Sequence, residues 1–382
     1  MSLEEYPGTL VVGGGLAGAA AAIRLRLAGR KAMLWERERG PHHKICGEFL
    51  SREGLVHLSA LGIDAEALGA VPITNMRLVG ARHVASSRLG FTARSITRRT
   101  LDEALLTRAA ELGADVRRGV SARGLESEGV LLSAHGDMRP AAAILATGKH
   151  NLRGLPRPAD GTIDHLVGFK TYWRLSPAQR GELAGHTELI LFRGGYAGLQ
   201  MVEREMANLC FLVTPDRHAA CGGVFESLIA DLGSEVPHLA RRLEAAVPLL
   251  DRPLAISGVP YGFLMPQGGR VAGLWPVGDQ AGVIPSFTGM GMSLALHGAA
   301  LAVRALLAGE GLEQYRRTLL RDVRSPIARA TRMQRVIEGS AAGPVRLLEA
   351  AKAFPPLLGL GVRLTRLRPR TVIAVAGQAP AG

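Results

Sequence analysis

Residues 9–36 read TLVVGGGLAGAAAAIRLRLAGRKAMLWE, and their order decides the fold. Leu10 to Val12 form an apolar strand that runs into Gly13-x-Gly15-x-x-Gly18. An alanine-rich helix follows, and a second strand, Ala32 to Trp35, ends on Glu36. This is the βαβ arrangement that binds dinucleotides. Gly13 permits the tight turn, Gly15 lets the backbone approach a pyrophosphate, and Gly18 lets the helix pack close to the sheet. The helix N-terminus offers unpaired N–H groups and the positive end of its dipole to phosphates. Glu36 accepts hydrogen bonds from a ribose, and Arg37 beside it is a further candidate for cofactor binding. Three glycines alone carry little information; with strand, helix, second strand and terminal acid in place the pattern is specific.

A chain of 382 residues can bury large cores and has room for two domains. Its three cysteines, Cys46, Cys210 and Cys221, make no disulfide framework, so a reducing cytoplasm is expected. The first residues lack a charged segment followed by an apolar run, and no stretch approaches the ~20 apolar residues of a membrane span. Neither a secretory leader nor a transmembrane helix is expected. The formal net charge is +13, and only five of the 46 basic residues are lysine. The arginines are spread along the chain without interleaved aromatics, which argues against nucleic-acid binding. Attraction of anionic substrates, NADPH or acidic lipid surfaces stays open. No metal-ligand set is assigned.

Helical spacing of Leu101, Leu105, Leu106 and Ala109 predicts a helix after Ser95, and PAAAILATGKH (140–150) reads as a buried strand ending in a glycine turn. Beyond Val167 the character changes. Alternating strands are expected at Gly168 to Leu175, Glu188 to Phe192, Tyr196 to Val202 and Ala207 to Val213, then a helical stretch from Phe225 to Ala246. The predicted fold class is α/β: a Rossmann-like nucleotide domain (1–75, 95–165 and 259–310), an inserted antiparallel-sheet substrate domain (76–94 and 166–258) and a helical C-terminal segment (311–382). That tail is Arg-rich and ends in a Pro/Gly/Ala stub.

Two further segments narrow the dinucleotide. In ITRRTLDEAL (96–105), Arg98 and Arg99 stand just before a helix whose leucines face the sheet. In VGDQAGVIP (277–285), Gly278-Asp279 end a strand, and Pro285, Gly289, Met290, Gly291 and Met292 form a glycine-rich loop that opens a helix. With these three motifs in order, residues 8 to 310 resemble FAD-dependent oxidoreductases of the p-hydroxybenzoate-hydroxylase fold, including aromatic hydroxylases and geranylgeranyl reductases. The resemblance implies that GGGLAG and Glu36 hold the ADP moiety and that Arg98 or Arg99 lines the pyrophosphate and flavin. It implies further that Asp279 holds the ribityl chain, while backbone N–H groups of 289–292 face the flavin's pyrimidine edge. NADH or NADPH would be the transient reductant.

Departures from the family pattern sharpen the reading. HHKICGEFLS (42–51) is similar to the loop of the geranylgeranyl-reductase branch that brings a cysteine near the flavin, so Cys46 and Lys44 are candidates for the chemistry, with simple packing as the alternative for Cys46. Hydroxylases carry Asp-Gly where this chain has Thr147-Gly148, followed by Arg153. The aromatic strand lining an isoprenoid pocket in the reductases is reduced here to Tyr196, with Gly198 and Gln200 beyond it. A ring-bearing substrate is therefore expected over a long isoprenoid. Trp35, Trp173 and Trp275 stand in no halogenase WxWxIP motif. The segments CGEFLS, ATGKHNLRG and GDQAGVIPSFTG resemble flavoproteins encoded beside type III polyketide synthases. The expected activity is an NAD(P)H-driven monooxygenase acting on an aromatic or polyketide-like lipophilic small molecule. The alternatives are a C=C reductase using Cys46 as acid, or an electron-transfer or non-catalytic flavoprotein. His165, Tyr172 and Tyr196 are candidate bases, while His165 and His297 read more naturally as surface and packing residues. The Arg-rich tail is expected to cover the substrate domain, with peripheral membrane contact as the other possibility.

Overall fold

The computed structural model describes residues 3–126, 129–267, 273–339, 342–354 and 356–377. It opens with β1 (Leu3–Val12), α1 (Leu16–Leu27) and β2 (Ala32–Glu36), then β3 (Phe49–Leu50), α2 (Arg52–Ala60), β4 (Val71–Val79) and β5 (Val84–Ser95). Next come α3 (Arg98–Glu111), β6 (Asp115–Arg118), β7 (Ala122–Leu125), β8 (Leu131–Ser133) and β9 (Asp137–Leu145). The middle of the chain supplies β10 (Val167–Arg174), α4 (Pro177–Leu183), β11 (His186–Phe192), β12 (Gly195–Met201) and β13 (Ala207–Val213). Helices α5 (Pro215–Ala220), α6 (Phe225–Glu235) and α7 (Pro237–Arg242) follow, with short strands β14 (Val247–Pro248) and β15 (Leu254–Ser257). β16 (Leu274–Pro276) and α8 (Gly291–Leu307) precede the tail helices α9 (Leu312–Gly339), α10 (Ala342–Ala353), α11 (Pro356–Leu364) and α12 (Pro369–Ala376).

The first sheet is parallel through β6, β2, β1, β9 and β16, with β8 and β7 added antiparallel beside the start of β9. β2, β16 and the ends of β1 and β9 are buried on both faces, which is why they read as unbroken apolar runs. Leu10, Val12, Met33 and Trp35 join one core, while Val11, Ala32 and Leu34 join the other. Ala19 to Ala22 are completely buried; their short side chains let α1 fit between the sheet and helices α3 and α8. Val12 lies opposite Trp35 and Leu145, and Leu145 opposite Pro276. The carboxyl ends of four parallel strands are thus level, and the loops that follow them share one edge, where open α/β sheets bind ligands.

The second sheet runs β14-β10-β13-β12-β11-β4-β5-β3, with β15 also on β10. It takes β3 and β4 from residues expected in the nucleotide domain, so the expected boundary at 75/76 falls inside β4. The insertion is not wholly antiparallel: β4 and β11 pair in parallel, joining the early and late pieces of this sheet. One face buries Phe169, Ile190, Leu209 and Phe211 against Leu228, Leu232 and Leu239 of α6 and α7. The opposite face points at the first domain. The tail folds back on the body, with α10 and α11 against β5 and α12 against α2 and α8. Arg366 pairs with Glu53 at 2.8 Å and stacks over Phe91. Among the described residues no helix is long and apolar enough to cross a membrane. The expected terminal stub falls on 378–382, outside the described residues.

Candidate functional site

The level strand ends enclose a groove of about 490 Å³ that runs past Gly13, Gly15, Glu36, Arg37, Lys44, Arg98, Thr147, Gly148 and Asp279. Its glycines are there for space. A Cβ on Gly18 would sit 1.8 Å from the Gly13 carbonyl oxygen, and one on Gly13, whose φ is +107°, 2.4 Å from that of Ala146. A Cβ on Gly15 would instead point at two cations, 3.3 Å from Arg98 Nη2 and 3.5 Å from Lys44 Nζ. Asp102 holds both, accepting from Arg98 Nε and Nη2 at 2.8 and 2.9 Å and from Lys44 Nζ at 2.9 Å. Burial works against a charged Asp102, but Arg98 and Lys44 outweigh it and keep its carboxyl below the usual range. Two cations against one anion leave net positive charge beside the N-terminus of α1, a setting for a diphosphate.

Glu36 is buried and accepts from the Gly14 N–H at 2.7 Å and the Glu38 N–H at 2.9 Å. Those bonds fix its carboxylate and leave lone pairs for ribose hydroxyls. The exposed Arg37 reaches across to His150 at 3.2 Å. Thr147 Oγ1 donates to the His150 carbonyl at 2.7 Å, and Gly148 and Gly278 both turn through positive φ. The Gly278–Asp279 turn and the 148–151 turn are braced together by Arg157, which donates to the Asp279 and Lys149 carbonyls and to Asn151. Gln280 adds bonds to the Gly148 and His150 carbonyls. Arg153, to which the sequence pointed, is exposed; the bracing arginine is the buried Arg157.

Pro285 leads into a 3-10 turn, Ser286–Thr288, and Gly289 follows at φ +65° with a Cβ position 2.5 Å from the Phe49 ring. The expected row of free N–H donors is shorter than predicted. Gly289 N–H donates to the Ser286 carbonyl and Met290 N–H to Thr288 Oγ1. The N–H groups without an intrahelical partner start at Gly291 and Met292, in the first turn of α8. The Met290 and Met292 side chains turn into the core and anchor the loop. Tyr196 does the same from the second sheet: its hydroxyl lies 2.7 Å from Ser286 Oγ and accepts from the Phe287 N–H at 3.2 Å. Burial pushes this phenol above its ordinary range. Tyr196 therefore shapes the loop and is not a free acid or base. Arg99 also departs from expectation. It is exposed and is not among the residues lining the groove; it lines a cleft of about 680 Å³ along α3 and, with Gly14, Glu36, Lys44 and Asp102, a small cavity beside the groove.

The remaining candidates meet between the two domains. Across three neighbouring strands, Cys210 lies between Lys170 and Gly198, and Asn208 between Tyr172 and Gln200. One face of the second sheet thus presents a polar wall, and the 44–48 loop is fastened to it. The carbonyl of Lys44 accepts from Lys170 (3.0 Å), that of Ile45 from Lys149 (2.7 Å), and that of Cys46 from Asn208 (3.1 Å). The Gly47 carbonyl accepts from both Asn208 and Gln200 at 3.0 Å. Cys46 is half-buried, with its sulfur accepting from the Glu48 N–H at 3.3 Å and lying beside the Arg98 guanidinium.

Glu48, fully buried at φ +60°, pairs with the equally buried Lys170 at 2.6 Å. It also accepts from Tyr172 Oη at 2.8 Å and the Arg98 N–H at 2.7 Å. Burial raises its carboxyl pKa, and Lys170 only partly opposes this. His43 Nδ1 lies 3.1 Å from the Tyr172 hydroxyl. Burial, with Lys170 and Arg99 nearby, pushes His43 down to about 4, so its imidazole is neutral at pH 7. His165 is exposed beside Glu338, and His297 is buried between His57 and Asp322 inside the helices. Sequence reading named Gln200 as a polar position on its strand but missed Asp102, Glu48, Lys170 and Asn208. The available signal was polar residues at alternate positions of otherwise apolar strands, as in GFKTYWR and ANLCFLV.

Residues 7–136 match the FAD binding domain family. No protein of curated function matches the sequence. Among solved structures, a triple mutant of a flavin-dependent brominase is 15% identical with a TM-score of 0.74, over 96% of this chain and 97% of that one. A myxobacterial chondrochloren halogenase, described as FAD-dependent, is 16% identical with a TM-score of 0.73, over 98% and 96%. A geranylgeranyl bacteriochlorophyll reductase-like protein from Thermoplasma acidophilum is 17% identical with a TM-score of 0.69, over 99% and 97%. Residues 7–136 thus match an FAD binding domain, and the chain as a whole shares the fold of these three structures, two of them described as flavin- or FAD-dependent. Its groove fits FAD: cations at the diphosphate position, a fixed carboxylate at the ribose end, and Asp279 further along the same groove.

Proposed function

We propose that this FAD-binding chain is an NAD(P)H-driven monooxygenase that hydroxylates an aromatic or polyketide-like lipophilic small molecule. The observation that carries the reading is the hydrogen-bonded chain from the half-buried His43 through Tyr172 and Glu48 to Lys170. FAD, reduced by the nicotinamide, would supply activated dioxygen for insertion into an electron-rich ring. The protein's part is to hold that ring, exclude water and take the phenolic proton. With Tyr172 donating to Glu48, His43 Nδ1 donates to Tyr172, which leaves Nε2 with the free lone pair of a neutral imidazole. A proton received there can be shared along Tyr172 to Glu48, whose raised carboxyl pKa suits it to accept one.

A C=C reductase is the second reading, favoured by the placement of Cys46 on a loop held at every carbonyl from 44 to 47. In that case Cys46 donates the proton that completes addition across the double bond. Halogenation is not proposed: Trp35, Trp173 and Trp275 lie in β2, β10 and β16, three separate strands. Turnover of alkylresorcinol-like substrates with NADPH under isotopically labelled dioxygen tests the proposal. A product carrying one labelled oxygen atom supports the monooxygenase. A product gaining two hydrogens and no label supports the reductase.

A further inference from the structure

We propose that the C-terminal helices form a docking surface for an anionic lipid bilayer. Of the eleven large apolar side chains that are exposed among the described residues, six lie between Val336 and Ile373. Leu357, Leu360 and Leu364 are spaced along α11 so that they share one face, and Phe354 precedes them. Leu358 on the same helix is buried against the body. α11 therefore has its inward contact already, while Leu357, Leu360 and Leu364 stay exposed. Ile373 is likewise exposed, on α12, one turn from Arg370. Arg329 of α9 donates to the Leu364 carbonyl at 3.1 Å, which brings α9 beside the end of α11.

Charge identifies the occupant. From Lys352 to the last residue the sequence has five basic side chains and no acidic one. Arg366 is engaged with Glu53. Lys352, Arg363, Arg368 and Arg370 are exposed and have no ion-pair partner among the described residues. Apolar side chains that can enter the acyl boundary, flanked by cations that meet lipid phosphates, are the components of an interfacial membrane anchor. This inference stands apart from the reaction catalysed.

The test is sedimentation of the FAD-loaded full chain with vesicles of phosphatidylcholine, with and without phosphatidylglycerol. Cosedimentation only with the anionic vesicles is expected. Each basic group near such a surface is worth about fivefold in partition. Arg363→Glu with Arg370→Glu should therefore weaken binding by at least about twentyfold, and Leu357→Ser with Leu360→Ser should abolish it. Unchanged flavin content and circular dichroism in both variants would show that the fold persists. Absence of sedimentation would overturn the proposal, as would binding insensitive to both variants. A wild-type dimer that Leu357→Ser converts to a monomer would also overturn it, assigning the face to a second copy of the chain.

Discussion

Replacing Arg98 with alanine should weaken FAD binding by about thirtyfold. The Arg98 guanidinium lies 3.3 Å from the position a Cβ on Gly15 would take, where the backbone approaches the diphosphate. A charge-assisted hydrogen bond at such a place is worth about 2 kcal/mol, and about 1.4 kcal/mol corresponds to tenfold in affinity. Asp102 loses two hydrogen bonds but keeps Lys44 at 2.9 Å, so the fold should survive with a stability loss of about 1–3 kcal/mol. The assay is titration of apoprotein with FAD, followed by quenching of flavin fluorescence. Arg98→Lys should fall between wild type and Arg98→Ala, because it keeps the charge and loses the planar fork. Arg99→Ala should bind as wild type, since Arg99 lines the outer cleft. A dissociation constant for Arg98→Ala within about twofold of wild type, or a large loss in Arg99→Ala, would refute the assignment of the diphosphate position.

Three more expectations concern the interdomain cluster and the helical core. Lys170→Met strands the Glu48 charge in the interior and should cost about 3–5 kcal/mol in urea unfolding; adding Glu48→Gln should recover part of that loss. His57 is pushed down to about 3 by burial and by His297. Its folded pKa lies below the unfolded one, so between pH 6.5 and 3 the unfolded state binds the extra proton and stability falls as pH falls. The drop from pH 6.5 to 4 should be about 3 kcal/mol from this group alone, and His57→Gln should flatten that part of the urea-unfolding profile. Cys46→Ala should retain FAD and leave oxygen insertion intact, as seen by product analysis; loss of most turnover would favour the reductase reading.

The nucleotide half of this structure was open to sequence reading because its chemistry is local. Gly13, Gly15, Gly18 and Glu36 belong to one βαβ unit, and the order of strand, glycine turn, helix, second strand and acid is complete within residues 9–36. Asp279 was legible for the same reason, at a strand end before a glycine turn. The interdomain cluster was not. Glu48 and Lys170 are 122 positions apart in sequence and meet only when the two sheets face each other. Tyr196 was misjudged because its hydroxyl is committed to Ser286 and Phe287, a contact no spacing announces. Arg98 and Arg99 could not be separated in sequence; one helical step, about 100° of rotation, sends one into the groove and the other to the outer cleft. The boundary near residue 75 slipped because β4 looks like any half-buried strand until its parallel pairing with β11 is seen.

The most direct test of the account is the flavin-to-protein ratio of purified Gly15→Val beside that of wild type. The valine side chain would occupy the space between the α1 N-terminus, Arg98 and Lys44 that is assigned here to the FAD diphosphate. Wild type should purify yellow with one FAD per chain, and Gly15→Val should be folded by circular dichroism and colourless. A Gly15→Val protein that retains full flavin would contradict the placement of FAD in this groove.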